Sequence, residues 1–327
     1  MPLVSENFGP TLCIGEILAE FVCLEKGKGF NTQLQFKGPY PSGAPAIFID
    51  QCGRIGASAA MIGMVGNDDF GYLNINRLKK DGVDVSGISI HPKLPTGTAF
   101  VRYHNDGQRD FVFNMWTSAA GMLEWSSNVQ NSVKKAGHLH IMGTLLSYTK
   151  IWKIIQKSAK QIKTRGGTIS LDPNIRPELL KDTETKSRFN EILGLTNLLL
   201  PSNEELAFVT GITDVEKAIN YLFSIGVDEI ALKKGANGAT VFTPKTTYHE
   251  EPLEVVELDP TGAGDCFGGT YVGCRRLGMQ IPISLRYANA AGARNVTVQG
   301  PMEGVGTLSD LDTFISKNSR SFNETSA

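Results

Sequence analysis

The run Asp259-Pro260-Thr261-Gly262-Ala263-Gly264-Asp265 joins a turn of small residues to a carboxylate. Such a turn feeds a helix whose first amides, here those of Gly262, Ala263 and Gly264, have no intrahelical partner. Those N–H groups and the positive end of the helix dipole form a hole for an anion, such as a phosphoryl group in transfer. Asp265, in the same first turn, could take the proton from a hydroxyl placed against that hole. A plainer reading stays open here, in which Asp265 only caps a Gly-rich helix entry. Familiar nucleotide motifs do not compete. Phe267 stands where a dinucleotide-binding Gly run needs its last small residue, and no GxxxxGK[ST] run occurs.

Something must hold this turn against a second set of groups. Short apolar runs at 11–15, 58–66, 138–143, 168–174, 197–202 and 229–235 each read as a buried strand ending in a polar or Gly turn. Helical patterns, as at 148–165 and 215–225, fall between several of them. This alternation predicts an α/β fold with a mostly parallel central sheet covered on both faces. Ligands bind outside the carboxyl ends of such strands, so Asp172, Asn174, Arg176, Ser202 and Glu205 are placed to line a site. Two stretches, 16–37 and 96–115, alternate in β fashion without helices, and Asn105-Asp106-Gly107 in the second is a hairpin signal. They predict a small sheet inserted into a single domain spanning 1–327 and projecting over the strand ends as a lid. The polar residues 317–327 read as a flexible tail.

Composition narrows the setting. The 327 residues carry 32 Lys and Arg against 33 Asp and Glu, a net charge of −1, which gives no case for nucleic acid or an anionic membrane as partner. The five cysteines form no CxxC pair and read as reduced thiols packed as small hydrophobes. No apolar run approaches the roughly 20 residues that span a bilayer, and MPLVSENFGP is not a signal peptide, so a cytoplasmic location is expected. His138 and His140 alternate on a strand and read as core, and Cys266 reads as a packing residue beside Asp265.

A second Gly cluster, Pro41-Ser42-Gly43-Ala44-Pro45-Ala46, precedes a helical run to Gly56, and Gly63-Met64-Val65-Gly66-Asn67-Asp68-Asp69-Phe70-Gly71 follows. With these pieces in order before the Gly262–Asp265 run, the chain resembles the ribokinase-like (PfkB) carbohydrate kinases over almost its whole length. The resemblance implies a three-layer sandwich, ATP and Mg2+ as cofactors with room for a monovalent cation, and Asp265 as catalytic base. It implies that Gly262, Ala263 and Gly264 hold the phosphoryl group and that Arg176, in an Asp-x-Asn-x-Arg run, neutralises charge beside it. Glu16, Glu20, Gly43, Ala44 and Asn174 fall where these kinases hold the sugar. Phe100 and Arg102, with Arg109, sit on the lid hairpin within reach of substrate.

Ser202 and Glu205 align with the family's Asn-x-x-Glu element, which makes Glu205 a Mg2+ ligand through water. Lys234, Gly235, Asn237 and Gly238, together with Asn289, look like the loops that hold the nucleotide. One departure matters. Ile47 replaces the sugar-contacting Asn of the signature, and Asp50, one helical turn on, is the expected substitute. The acceptor stretch looks most like that of tagatose kinases, which favours a ketohexose such as tagatose or fructose. A 2-keto-3-deoxygluconate kinase and a catalytically silent sugar sensor are the alternatives. The open lid face implies a homodimer formed through the lid.

Overall fold

The computed structural model describes residues 3–106, 108–174 and 183–319. The strands in chain order are β1 (Thr11–Ile14), β2 (Leu18–Cys23), β3 (Phe36–Ser42), β4 (Ala59–Gly66), β5 (Val83–His91), β6 (Gly97–Tyr103), β7 (Arg109–Asn114) and β8 (His138–Met142). They continue with β9 (Thr168–Asp172), β10 (Leu198–Leu199), β11 (Glu229–Lys233), β12 (Ala239–Phe242) and β13 (Thr247–Glu250). The helices are α1 (Ala44–Arg54), α2 (Asp69–Lys80), α3 (Ser127–Lys135), α4 (Thr149–Thr164) and α5 (Thr183–Leu193). After them come α6 (Asn203–Thr210), α7 (Val215–Ser224), α8 (Ala263–Arg276), α9 (Ile281–Asn295) and α10 (Leu308–Ser319).

Nine strands form one sheet in the order β13-β12-β11-β10-β9-β8-β1-β4-β5. From β11 to β5 all neighbours are parallel, while β12 and β13 add an antiparallel edge. The central strands are buried along their whole length, as a sheet covered on both faces requires. Helices α1, α8, α9 and α10 pack on one another, as do α3, α4 and α5, so the chain is a three-layer α/β sandwich. Each Leu, Ile or Phe that this buries contributes about 2 kcal/mol. His138 and His140 lie in this core: both are fully buried, bond the Ser170 hydroxyl at 2.8 and 2.7 Å, and His140 stacks on Phe48. Of the strands not singled out from sequence, β5 and β13 are the edges of the sheet, and their half-exposed patterns give a weaker apolar signal, while β12 is buried but only four residues long.

A second sheet, β3-β2-β6-β7, has β2 and β6 parallel and the outer pairs antiparallel. This is the expected small sheet, but its first segment runs on to Ser42 rather than ending near residue 37, because β3 leads directly into α1. Gly107 lies outside the described residues. Helix α10 takes in residues 317–319 of the expected tail, and residues 320–327 lie outside the described residues.

The β3–α1 junction is a backbone contact. Gly43 caps α1 with φ 108° and no side-chain hydrogen bond, and a Cβ there would lie 2.5 Å from the Glu16 carbonyl oxygen. Only glycine meets both conditions. Gly43→Ala is therefore expected to lose about 1–3 kcal/mol in a denaturant titration. Unchanged stability would show that the turn can relax away from Glu16.

Candidate active site

Residues at or just after the carboxyl ends of β1, β8, β9, β10 and β11 line one cavity of about 660 Å3. β1 supplies Glu16, the segment after β8 supplies Thr144 and Leu145, β9 supplies Asp172 and Asn174, and β11 supplies Lys233. Glu20, Ser42, Arg109, Phe111 and Phe113 close it from the small sheet, and Gly262, Gly264 and Asp265 form the wall opposite. A second cavity of about 560 Å3 is lined by Gly235, Ala236, Gly238, Leu253, Phe267, Asn289 and Gly292 among others. Lys233, Pro260 and Gly264 line both. The start of α8 thus stands between two adjoining chambers.

That start is a locked turn. Gly262 adopts φ 82°, and a Cβ on it would meet the Pro301 carbonyl oxygen at 2.5 Å and Ile47 Cγ2 at 3.2 Å. The Asp259 carboxylate accepts the Thr261 N–H and the Gly300 N–H, each at 2.9 Å, and also the Tyr103 hydroxyl from the small sheet. Asn295 Nδ2 donates to the Thr261 carbonyl at 2.7 Å. No side chain caps α8, so Asp265 is not spent on a cap, and its Oδ1 lies 3.4 Å from Asn174 Nδ2. Asn174 holds φ 41°, a left-handed conformation that asparagine tolerates better than most residues.

The electrostatics are crowded. Burial, then the nearby Asp172 charge, push the Asp265 carboxyl up to about 8, against the pull of Lys233. Burial likewise raises Asp172 to about 6, although the Lys233 ammonium sits 2.5 Å from its Oδ2. Lys233 itself is held above its usual range: burial works against the charge, but Asp172 first, then Glu205 and Asp265, more than offset it. Interacting carboxylates of this kind titrate as a set.

Most sequence candidates converge here. Glu16, Glu20, Gly43, Ala44, Asn174, Glu205, Gly262, Gly264 and Asp265 line the first chamber. Gly235, Gly238, Ala263, Gly264 and Asn289 line the second. Ser202 lines neither, because its hydroxyl accepts the Glu205 N–H at 3.3 Å while Glu205 Oε2 accepts the Ser202 N–H at 2.7 Å, a capping box for α6. Asp50 is not a sugar contact: it is fully buried and turned towards α2, where Arg77 Nε lies 3.2 Å away. Phe100 and Arg102 also fall away from the cavity. Strand period puts Ala99, Val101 and Tyr103 inward, leaving Phe100 stacked on Phe21 at 5.0 Å and Arg102 donating to the Lys28 carbonyl at 2.8 Å and pairing with Asp110.

Lys234 and Asn237 miss the second chamber, where Lys233 and Ala236 stand instead. Arg176 lies outside the described residues. Lys233 escapes the motif-based reading, although a lysine closing a parallel strand is a legible signal. Thr144, Leu145, Tyr148 and Trp116, which line the first chamber, carry no motif.

Among the described residues no group of three or more His, Cys, Asp or Glu could hold a metal ion. Glu205, in the chamber wall, would suit Mg2+ carried mainly by water and phosphate oxygens rather than by a protein cage.

Comparison with known proteins agrees with this geometry. The family described as pfkB family carbohydrate kinase matches residues 11–307. A chloroplastic protein of Arabidopsis thaliana provisionally named fructokinase-6 is 32% identical over 311 residues, covering 90% of this chain and 79% of that protein. The 2-dehydro-3-deoxygluconokinase of Bacillus subtilis is 29% identical over 306 residues, covering 92% and 94%. Two structures from E. coli provisionally described as ribokinase II, one apo and one with ATP and Mg2+, have TM-scores of 0.91 and 0.89 at 44% and 43% identity. Each covers 94% of this chain and 99% of that one. The chain belongs to the pfkB family of carbohydrate kinases.

Proposed function

We propose that this kinase transfers the γ-phosphoryl group of ATP to a hydroxyl of a ketohexose such as tagatose or fructose, with Asp265 as the base. The observation that carries the reading is the position of Asp265, in the wall of one chamber and next to Gly264, which both chambers share. In this reading the sugar lies in the first chamber and ATP in the second; an E. coli relative was solved in complex with ATP and Mg2+. The sugar oxygen forms a bond to the γ-phosphorus, and the bond from that phosphorus to the β–γ bridging oxygen breaks. The hydroxyl proton passes to the Asp265 carboxylate, and ADP departs. Gly262, Ala263 and Gly264 present the N–H groups and helix dipole that suit the charge on the transferring group. Mg2+ with Glu205 as outer ligand would neutralise phosphate charge.

Glu16, Glu20 and Ser42 give the sugar side an acceptor-rich wall suited to hydroxyls, with Ser42 Oγ already donating to Glu20 Oε2 at 2.7 Å. Phe111, Phe113 and Leu145 supply apolar faces. A neutral polyhydroxy ketose fits that mixture. One observation favours a sugar acid instead: Arg109 enters the same chamber, where its Nη1 donates to Thr261 Oγ1 at 3.1 Å. That is the cation a 2-keto-3-deoxygluconate carboxylate would want. Five buried, unpaired cysteines fit a reducing, cytoplasmic setting. The outer face of the small sheet, with Phe21, Phe36 and Phe100 packed together, fits coverage by a second copy.

Mg-ATP with a panel of tagatose, fructose, glucose and 2-keto-3-deoxygluconate should release ADP fastest with a ketohexose; a preference for the keto acid would transfer the assignment to the Arg109 reading. No release on any acceptor would leave only a silent sensor. Asp265→Asn should fold and bind ATP yet lose about 10^2–10^4-fold in kcat. Turnover at the parental rate would remove Asp265 from the base role.

The proton inventory gives a second check. The base works deprotonated, so kcat/KM should rise with pH along a limb centred near 8. Asp172→Asn removes the like charge and should move that limb to lower pH. Because the folded carboxyl is raised, its ionised form costs stability, a cost that grows above the unfolded value of about 4 and is complete above about 8. Asp265→Asn should therefore raise Tm more at pH 9 than at pH 5.

A further inference from the structure

The wall of the first chamber holds one feature that the reading above leaves unused. Trp116 and Tyr148 both line that chamber, and neither lines the second. Their rings stack with centroids 3.2 Å apart and planes inclined by 28°. Trp116 follows β7 of the small sheet, and Tyr148 stands just before α4 in the main body. The stack thus joins the two parts of the fold at the chamber, whereas the stacked Phe111 and Phe113, 5.1 Å apart, belong to β7 alone.

Both backbones are fixed. Ser118 donates to the Met115 carbonyl through its N–H at 3.1 Å and its hydroxyl at 2.5 Å, and the Ala119 N–H reaches the Pro95 carbonyl at 2.9 Å. Gly121 lies so close that a Cβ on it would collide with the Trp116 carbonyl oxygen. Tyr148 donates its N–H to the Leu145 carbonyl at 3.1 Å and accepts the Trp152 N–H at 2.8 Å. Both rings pack against the main core yet stay half-buried, unlike Trp152, which is 7% exposed. A rigid aromatic surface left open inside a cavity is formed before its ligand arrives, with little side-chain freedom left to lose on binding.

The rest of the wall says what such a surface would take. Glu16, Glu20, Asp172, Glu205 and Asp265 set carboxylates around the same chamber. An aromatic face carries negative quadrupole charge, so it disfavours an anion and attracts the slightly positive C–H groups of a sugar. A closed sugar ring gathers C–H groups on one face and turns its hydroxyls to the edge, where carboxylates can accept them. An open chain of the same hydroxyls has no such face. We propose that Trp116 and Tyr148 are specificity-determining residues of this kinase, whose stacked rings bind the C–H face of the acceptor and select a cyclic sugar over an open-chain polyol. The proposal rests on the assignment of the first chamber to a sugar, and the test tells the two failures apart.

The test uses pairs of polyols that differ only by the water lost on ring closure: 2,5-anhydromannitol against mannitol for fructose, and the matching pair for tagatose. Calorimetry on the full chain with saturating Mg-ADP should give about tenfold tighter binding of the ring form. Trp116→Ala should cut that preference to within about twofold while Mg-ADP affinity stays at the parental value, and Tyr148→Phe, which keeps a ring, should retain it. In the acceptor assay Trp116→Ala should raise the sugar KM about tenfold with the KM for Mg-ATP unmoved. A pair that only packs the fold would weaken both ligands or neither and leave the ring preference intact, which would overturn the proposal. Equal binding of ring and chain by the parental protein would overturn it too. If Trp116→Ala does not fold, Trp116→Leu fills the space against the core without an aromatic face, and the same ratio is read on it. A ring preference in a protein that phosphorylates no acceptor would sink the kinase assignment and leave the platform standing; turnover of a ketohexose without that preference would do the reverse.

Discussion

The ion pair between Asp172 and Lys233, 2.5 Å long at the carboxyl ends of β9 and β11, is the interaction on which this site depends. Five acidic side chains line one chamber, and the turn at its edge is built to receive an anion. Without a buried cation that arrangement would repel its own ligand, and the carboxylates would neutralise themselves by holding protons. Asp265 shows how near the balance lies, since its carboxyl stays at about 8 even with Lys233 close by. Metal-bound phosphate arriving beside it brings compensating positive charge, which would favour the ionised base when it is needed.

The small sheet is tied into the same chemistry. Tyr103 donates to Asp259 and Arg109 to Thr261, so β6 and β7 each place one group on the turn before α8. Asp259 divides its carboxylate between that sheet, the Thr261 amide and the Gly300 amide. One buried carboxylate therefore links the cover of the first chamber, the turn before α8 and the loop after α9. A displacement of the sheet would cost hydrogen bonds at the turn itself.

Much of this is legible in the sequence wherever chemistry follows from backbone. Gly43 and Gly262 are dictated by positive φ and by carbonyl oxygens 2.5 Å from any Cβ, and runs of small residues announce such turns. The alternation of buried strands and helices points to the parallel sheet for the same reason. What stays hidden is direction. Spacing along α1 makes Asp50 a plausible stand-in for the asparagine that Ile47 replaces, but the helix turns it to Arg77 in a buried ionic cluster with Asp81. Ser202 sits at the spacing of a site group, and it caps α6. For Asp50 the partner comes from a different helix, and for Ser202 it comes from the helix it opens; spacing alone shows neither.

The lid and the strand end show the sharpest form of that limit. On β6 a shift of one residue separates Tyr103, which bonds the turn before α8, from Arg102, which pairs with Asp110 on the outer face. At the end of β11 the same parity separates Lys233 from Lys234, chemically identical in sequence and opposite in consequence. Because side chains alternate with a period of two, an error of one in register exchanges a ligand for a surface charge. Such parity can be anchored only by a partner across the fold. On β11 that anchor is Glu229, fixed by Tyr271 and Arg275 of α8, whose other end carries Asp265. The helix that bears Asp265 thus also sets which lysine stands beneath it.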